Sequence, residues 1–402
     1  MKSLSSIVII VCIFIHLFPA HSQYWERTYD IDDQSDNALS VTSASDGRII
    51  MAGDTFLNPT IPHCALAICT DLNGDILWAY TYEPDDCFSS DFRSVITLPD
   101  GFLFAGVTTI GHPSLTYLVR TNEYGDTVWT RIYGTEDELH QGGSIAILWN
   151  GGFIGIWNNW EGEVLYRFDS HGDSLWARVY SISAFTKIIV TSDSGFVMSG
   201  SAYMVSVFSA ATLTRTDSLG NILWFRTFTP GTANVFYSVV RIPDGGFIAA
   251  GYTVDEIFGD PPPHKAFIVK VNEEGDTIWT RQYGNEHITI LSSLVCTQNE
   301  EYVFAGYTGE GYDEYDVWLL CLNEDGDSLW ARTYGDSADE SANSIAIAPD
   351  GGYIIAGTKR YGTHESDIYL IKTDSLGNVD WINEIPQKPQ DISLKISPNP
   401  FN

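Results

Sequence analysis

The chain has 402 residues and carries 52 acidic against 21 basic side chains, a formal charge of −31. So negative a surface repels nucleic-acid phosphates and anionic membranes, which argues against both as partners. The length would accommodate two or three ordinary domains, but no composition break divides residues 24–384, so one large repeat domain is expected.

Residues 1–22 read as a secretory signal. Lys2 supplies the basic start, Ile7 to Phe18 an apolar stretch of twelve, and Ala20-His21-Ser22 the small residues before a cut at Gln23. The stretch is too short to span a bilayer, and no later segment is long enough. A soluble, exported mature chain is the expectation.

Eight tryptophans then recur in one local frame: Trp25, Trp78, Trp129, Trp176, Trp224, Trp279, Trp330 and Trp381, at intervals of 47 to 55 residues. Seven of them stand four residues after a glycine, as in Asn73-Gly74-Asp75-Ile76-Leu77-Trp78. A period near fifty that hardly drifts means one supersecondary unit copied end to end, each copy covering its neighbour's apolar face.

Trp25 has no hairpin before it. Its segment, Gln23 to Tyr29, reads as an outer strand that docks on the last copy, in competition with residues 378–384 for the same edge. Each later copy reads as four strands in two hairpins. In the last, Ser344–Pro349 turns at Asp350-Gly351-Gly352 into Tyr353–Gly357, and Ile368–Thr373 turns at Asp374–Gly377 into Asn378–Asn383. The middle strands are apolar on both faces, as strands between two neighbouring sheets must be. Seven first-hairpin turns are countable, at Asp46, Asp100, Asn150, Asp193, Asp244, Gln298 and Asp350. The sixth, Gln298-Asn299-Glu300, lacks glycine and is expected to be distorted. The fold class is therefore all-β, a seven-bladed β-propeller of four-stranded antiparallel blades over residues 23–384.

The outer strands alternate Trp, Arg and Tyr, as in Trp129-Thr-Arg131-Ile-Tyr133, with Arg281 and Arg332 in the same slot after Trp279 and Trp330. Alternation by two places all three on one face, with the guanidinium within reach of the indole. Each copy has its own set, so these residues are expected to dock one blade on the next rather than bind a ligand.

Five cysteines remain after the signal: Cys64, Cys69, Cys87, Cys296 and Cys321. No Cys-x-x-Cys pair is present, which excludes a ribbon-type zinc site. Two readings stay open, a Cys64–Cys87 bridge or buried free thiols.

The run Asp-x-x-Gly-[Asp/Asn]-x-x-Trp-x-Arg-x-Tyr, followed by Asp-Gly-Gly-[Phe/Tyr] and Ala-Gly, resembles secreted bacterial propeller repeats found upstream of type IX sorting domains. Its glycine-to-tryptophan offset is also similar to the tryptophan-docking motif of quinoprotein-like propellers, with a turn one residue shorter. Such dehydrogenases imply a quinone and usually eight blades; seven repeats and no adjacent cysteine pair leave no ground for carrying the cofactor over, and none is expected. Residues 385–393 read as a linker, and Leu394–Asn402, with Pro398-Asn399-Pro400-Phe401, looks like the first strand of a type IX sorting domain cut short. That resemblance implies passage through the type IX secretion machinery to the surface or exterior of a Gram-negative bacterium.

Two loop types per repeat are short and repetitive; the other two are long and varied, and all of the latter are expected on one face. Aromatics beside carboxylates single out Trp157, Trp160, Tyr312, Tyr315, Tyr361 and, next to the last, His364, a pairing that suits sugar faces or protein anchors. Asp71-x-Asn73-Gly-Asp75 offers clustered oxygens without the other ligands of an EF-hand loop, so turn capping is expected there and no metal. No nucleophile elbow, phosphate loop or zincin motif occurs in the sequence. The expectation is an exported module, not an enzyme, that binds a glycan or surface protein. A secreted glucanase-like hydrolase is the alternative, and a structural spacer the third.

Overall fold

The structure, a computed structural model, describes residues 24–31, 35–56, 63–111, 114–134, 140–159, 162–204, 208–255, 262–284, 287–311, 314–362 and 365–380. The signal, the linker, Trp160, Tyr312, His364, Trp381 and the C-terminal segment lie outside them. Among the described residues there are 28 strands and no helix. They form five four-stranded sheets and one of eight strands, in which a single parallel bridge, Ser209 to Ala233, joins two four-stranded halves.

Within each unit the chain meanders antiparallel from an inner to an outer strand. The inner strands are Asp36–Ser43, Cys87–Leu98, Gln141–Ile147, Ala184–Val190, Ala233–Arg241, Ile288–Cys296 and Asp339–Ile347. Each packs on the next, and the last packs back on the first, so they pass round a closed circle. Serine hydroxyls stitch this circle. Ser40 Oγ accepts from Val95 N (3.3 Å), Ser94 from Ile145 N (3.4 Å), Ser144 from Ile188 N (3.2 Å), Ser293 from Ile345 N (3.4 Å) and Ser344 from Val41 N (3.1 Å). Every inner strand has a register shift beside this position, which frees the strand to bend towards its neighbour.

The competition for the last edge is decided. Trp25–Tyr29 pairs antiparallel with Glu365–Thr373, from Trp25 opposite Lys372 to Tyr29 opposite Ile368. The N-terminal strand is thus the fourth strand of the last sheet, and the amide of Asp380 donates to the Tyr24 carbonyl at its flank (3.0 Å).

Apolar clusters fill the spaces between successive sheets. One joins Trp25, Tyr29, Ile354 and Leu370 of the last sheet to Val41, Met51, Leu66 and Ile68 of the first. The outer-strand residues seal the rim. Trp78 Nε1 donates to Glu123 O (3.3 Å), Trp224 to Glu273 O (2.9 Å) and Trp279 to Glu324 O (3.0 Å), always to the outer turn of the following unit. Glycine is required in that turn. A Cβ at Gly275 would lie 3.0 Å from the Trp224 ring, and its φ of +80° disfavours other residues. Guanidinium groups cover the indoles: Arg131 over Trp129 and Arg281 over Trp279 at 5.3 Å, Arg332 over Trp330 at 5.7 Å. The next turn's carbonyls receive Arg281 (Asp325 O, 2.7 Å) and Tyr283 (Gly326 O, 2.8 Å). Where Tyr80 replaces arginine, its ring stacks on Trp78 at 5.5 Å. Only Trp25 and Trp78 of this set are fully buried; Trp129, Trp176, Trp224, Trp279 and Trp330 are half-buried.

Two expectations, on the sixth turn and on Trp157, are corrected, and the open question of the cysteines is decided for free thiols. The sixth first-hairpin turn keeps the hydrogen bonds of the others, Thr297 N to Glu301 O and Glu300 N to Thr297 O, because Glu300 itself takes a left-handed φ of 61°. The five cysteines are all free: Cys64, Cys69 and Cys321 are buried, and the Cys87 thiol faces the Thr108 hydroxyl at 3.2 Å. Trp157 is 1% exposed, a core residue and not a surface anchor. It stands where the other second strands carry glycine (Gly53, Gly106, Gly200, Gly251, Gly306, Gly357), whose added Cβ would run into an inner-strand carbonyl at 1.8–2.0 Å. The third inner strand makes room by looping out Gly142 and Gly143, both at positive φ, and the indole donates across the seam to Gly106 O (3.0 Å).

Candidate binding face

Both repetitive turn types leave the sheets at one end, so the long connections leave at the other. At the repetitive end, turn aspartates and asparagines find partners in their own repeat, while the rim indoles, guanidiniums and tyrosine hydroxyls reach the turn of the next one. Asp71 Oδ1 accepts from Asn73 N (2.8 Å) and Asp75 N (2.9 Å), and Asn323 repeats the pattern with Asp325 N (3.1 Å) and Asp327 N (2.8 Å). These oxygens cap turns, as the spacing predicts. Three first-hairpin aspartates pair with a cation on their own third strand, Asp193 with Arg215 at 2.7 Å, and Asp100 with Arg120 and Asp350 with Lys372 at short range, whereas Asp46 pairs with the nearby Arg48 at 2.7 Å. Burial alone would raise Asp193, but hydrogen bonds from Thr191 and Arg215 outweigh it and hold the carboxyl at about 2.

The opposite end differs by sector. In the unit of Ala233–Tyr283 and the next one, aromatic rings gather. Tyr237 lies 5.8 Å from Tyr252, Tyr252 lies 4.9 Å from His264, and Tyr307 lies 5.1 Å from Tyr315. The pairs interact, since burial first, then Tyr252 and Tyr307, raise the Tyr237 hydroxyl. Burial lowers His264, which accepts no proton readily in this apolar setting. Tyr203, 93% exposed at the end of its strand, continues the surface outward. Backbone register explains the grouping. Tyr237 is the residue left over at the Phe236/Ser238 shift, and Tyr252 and Tyr307 each follow the obligatory glycine of a second strand.

Across the circle the same positions are charged. Asp54 follows Gly53 and binds His63 Nδ1 at 2.7 Å, which raises the imidazole. Arg93, left over at the Phe92/Ser94 shift, clasps Asp91 at 2.8 Å; burial still lifts Asp91 above the ordinary carboxylate range.

Of the aromatic candidates read from sequence, Tyr315 joins the cluster, while Tyr361 stands apart, 44% exposed, at the closing seam with Lys359 Nζ 5.8 Å from its ring. Trp157 is core. Tyr237, Tyr252 and Tyr307 escape a reading based on loops because they lie inside strands. Their signal was an aromatic next to Ala-Gly, in Ala250-Gly251-Tyr252 and Ala305-Gly306-Tyr307. His140 is fully buried with Thr116 Oγ1 at 2.7 Å from its Nδ1, and is structural. Two glutamates are held near neutrality. Burial raises Glu163 to about 7 against hydrogen bonds from the Asn158 side chain (2.7 Å) and the Phe185 backbone, and raises Glu340 to about 7 despite Lys359 at 2.8 Å. Both are sealed, at 1% and 0% exposure.

No protein-family model matches the chain, and no curated protein matches it. Solved structures do. The WD40 β-propeller domain of Doa1 superposes with a TM-score of 0.54 at 15% identity, over 88% of this chain and 97% of that one. The Dos1 propeller gives 0.52 at 11%, over 86% and 95%. A protein of unknown function from Dyadobacter fermentans gives 0.48 at 10%, over 86% and 97%. At such identities the likeness fixes the fold alone: a β-propeller.

Proposed function

We propose that this chain is an exported seven-bladed propeller that binds a glycan or a protein segment through the tyrosine arc of its variable end. The eight-stranded sheet counts as two blades, since one bridge alone joins its halves. Seven apolar clusters, each spanning two successive units, agree with that count. Export rests on the N-terminal signal and the Pro398-Asn399-Pro400-Phe401 segment, and it accords with the excess of acid. The outer-strand tryptophans, with their guanidinium lids, dock blade on blade and take no part in binding.

One observation carries the reading. Tyr237, Tyr252 and His264 form one ring group and Tyr307 and Tyr315 a second close enough to act on it electrostatically, at an end where strands have no structural need for rings. Flat rings edged by hydroxyls suit the C–H faces and hydroxyls of sugars, and equally the apolar side chains of a peptide. The hydrolase alternative has less support, because the two glutamates with raised carboxyls are enclosed. The spacer alternative leaves the tyrosine arc unexplained.

The test is a screen of the mature protein on a glycan array and on an immobilised peptide array, followed by titration of each hit with tyrosine fluorescence as the readout. Micromolar to millimolar binding that perturbs tyrosine emission is the expected outcome. Silence on both arrays would leave the spacer as the better reading.

A further inference from the structure

One place on the inner strands departs from its repeat in a way the fold does not require. Just past the register shift stands a serine in six of the seven inner strands: Ser40, Ser94, Ser144, Ser238, Ser293 and Ser344. In Ala184–Val190 that place is taken by Lys187. An ammonium has no lone pair, so it cannot accept from the neighbouring inner strand as the serines do. The stitch moves by one residue instead, and the Thr186 hydroxyl donates to Phe236 O at 2.7 Å. The seam is closed without Lys187.

Its ammonium is also the exception among the lysines. Lys265 holds Asp255, Lys270 holds Asp244, Lys359 holds Asp336 and Lys372 holds Asp350. Among the described residues nothing pairs with Lys187, and no charged group of either sign acts on it. Burial alone shifts it, pushing the ammonium below the ordinary lysine range. An unpaired charge in such a setting is unfavourable, and a chain with 52 acidic side chains had carboxylates to spare. Apolar clusters close both faces of the sheet, through Ile188 and Phe196 on one side and Val197, Phe236 and Val239 on the other. Lys187 nevertheless stays half-buried, so its side chain meets solvent in the channel that the inner strands enclose. That part of the channel borders the arc, because Tyr237 directly follows Phe236, the residue that Thr186 binds. The same unit carries hydroxyls at its variable end, with Ser183 Oγ and Thr212 Oγ1 2.6 Å apart.

We propose that Lys187 is the anion-binding point of this face, and that the ligand on the tyrosine arc is an acidic sugar whose ring lies on the tyrosines and whose carboxylate meets the Lys187 ammonium. This rests on the arc being the binding surface. A carboxylate supplies the charge and the acceptor oxygens that the ammonium lacks, and such a pair is stronger in a partly desolvated channel than in open water. The nearby hydroxyls both donate and accept, as sugar hydroxyls demand. A lone cation also sets a limit. It matches one carboxylate, while a chain of charge −31 repels a dense polyanion, so the fit is to a short uronic acid oligosaccharide.

Calorimetry on the mature protein tests this with a uronic acid oligosaccharide and its carboxyl-reduced, neutral counterpart. The parent should bind the acidic form about tenfold more tightly at low salt, with the preference narrowing as salt is raised. Lys187→Ser, which restores the residue of the other six strands, should bring the acidic form down to the affinity of the neutral one. It should also melt no lower than the parent; a melt several degrees lower would show that the lysine serves the fold, and would overturn the site. Equal affinities in the parent, or an acid preference that survives Lys187→Ser, would overturn it too while leaving the arc in place. A peptide ending in a free carboxylate that binds instead of the sugar, with the same dependence on Lys187, would overturn the sugar assignment. Acid binding untouched by Tyr252→Ala but lost in Lys187→Ser would overturn the arc and the seating proposed on it.

Discussion

The two ends of this propeller are built from the same strands in the same register, yet they treat polar groups in opposite ways. At the repetitive end, Asp71 caps its own turn, Asp193 pairs with Arg215 on its own third strand, and the Tyr283 hydroxyl donates to a glycine carbonyl of the next unit. At the variable end, partners are particular to each sector: the Glu163 carboxyl is buried against Asn158, and the Tyr237 and Tyr252 rings cluster without an outer turn to dock on. The lesson is that repetition is confined to what holds the ring shut. Departures from it are where one sector builds a surface that the others lack.

The sharpest way to break this comparison is Trp157, an aromatic on the variable side that the structure assigns to the core. Trp157→Ala should cost about 3–5 kcal/mol in chemical denaturation, with no specific effect on ligand affinity in the folded fraction. A variant that melts like the parent but no longer binds would return Trp157 to the binding face. Next, Trp78→Ala should cost about 3 kcal/mol, and Trp279→Ala, only half-buried, about half as much. Equal costs would mean that burial does not grade the rim.

The pH dependence of stability gives a third test. Glu163 has an ordinary value of 4.5 and a folded value raised to about 7, so the folded state holds the proton more tightly. Its contribution is fully present below about pH 4.5 and is lost as pH rises through 7, about 3 kcal/mol in all. Glu163→Gln should flatten that part of the stability–pH profile; an unchanged slope would show that the carboxyl is not held neutral. The smallest effect belongs to the sixth turn. Glu300→Gly should stabilise by about 0.5–1 kcal/mol, because glycine adopts the left-handed φ of 61° without penalty. Destabilisation would indicate that the glutamate side chain serves the turn.

What was legible in the sequence follows the same division. The tryptophan period, the glycine four residues before it and the Trp-Arg-Tyr alternation were readable because the same contact is made repeatedly. The partner carbonyls of Trp279 and Arg281 lie one repeat ahead, at Glu324 and Asp325. The serine stitching went unread, since Ser40, Ser94 and Ser144 contact strands about fifty residues away through one weak polar atom. Trp157 misled because it lies beside a loop in sequence, while a glycine-rich register shift on another strand decides its burial. Tyr252 and Tyr307 were hidden inside strands that looked purely structural.

The division of labour between the two ends is tested most directly by comparing Tyr252→Ala with Trp279→Ala, each measured for melting temperature and for affinity towards a ligand found on the arrays. The tyrosine variant should lose at least tenfold in affinity with its melt within about 1 °C of the parent. The tryptophan variant should melt several degrees lower with affinity intact. The reverse pattern, binding lost at the rim and stability lost at the tyrosine arc, would contradict the account.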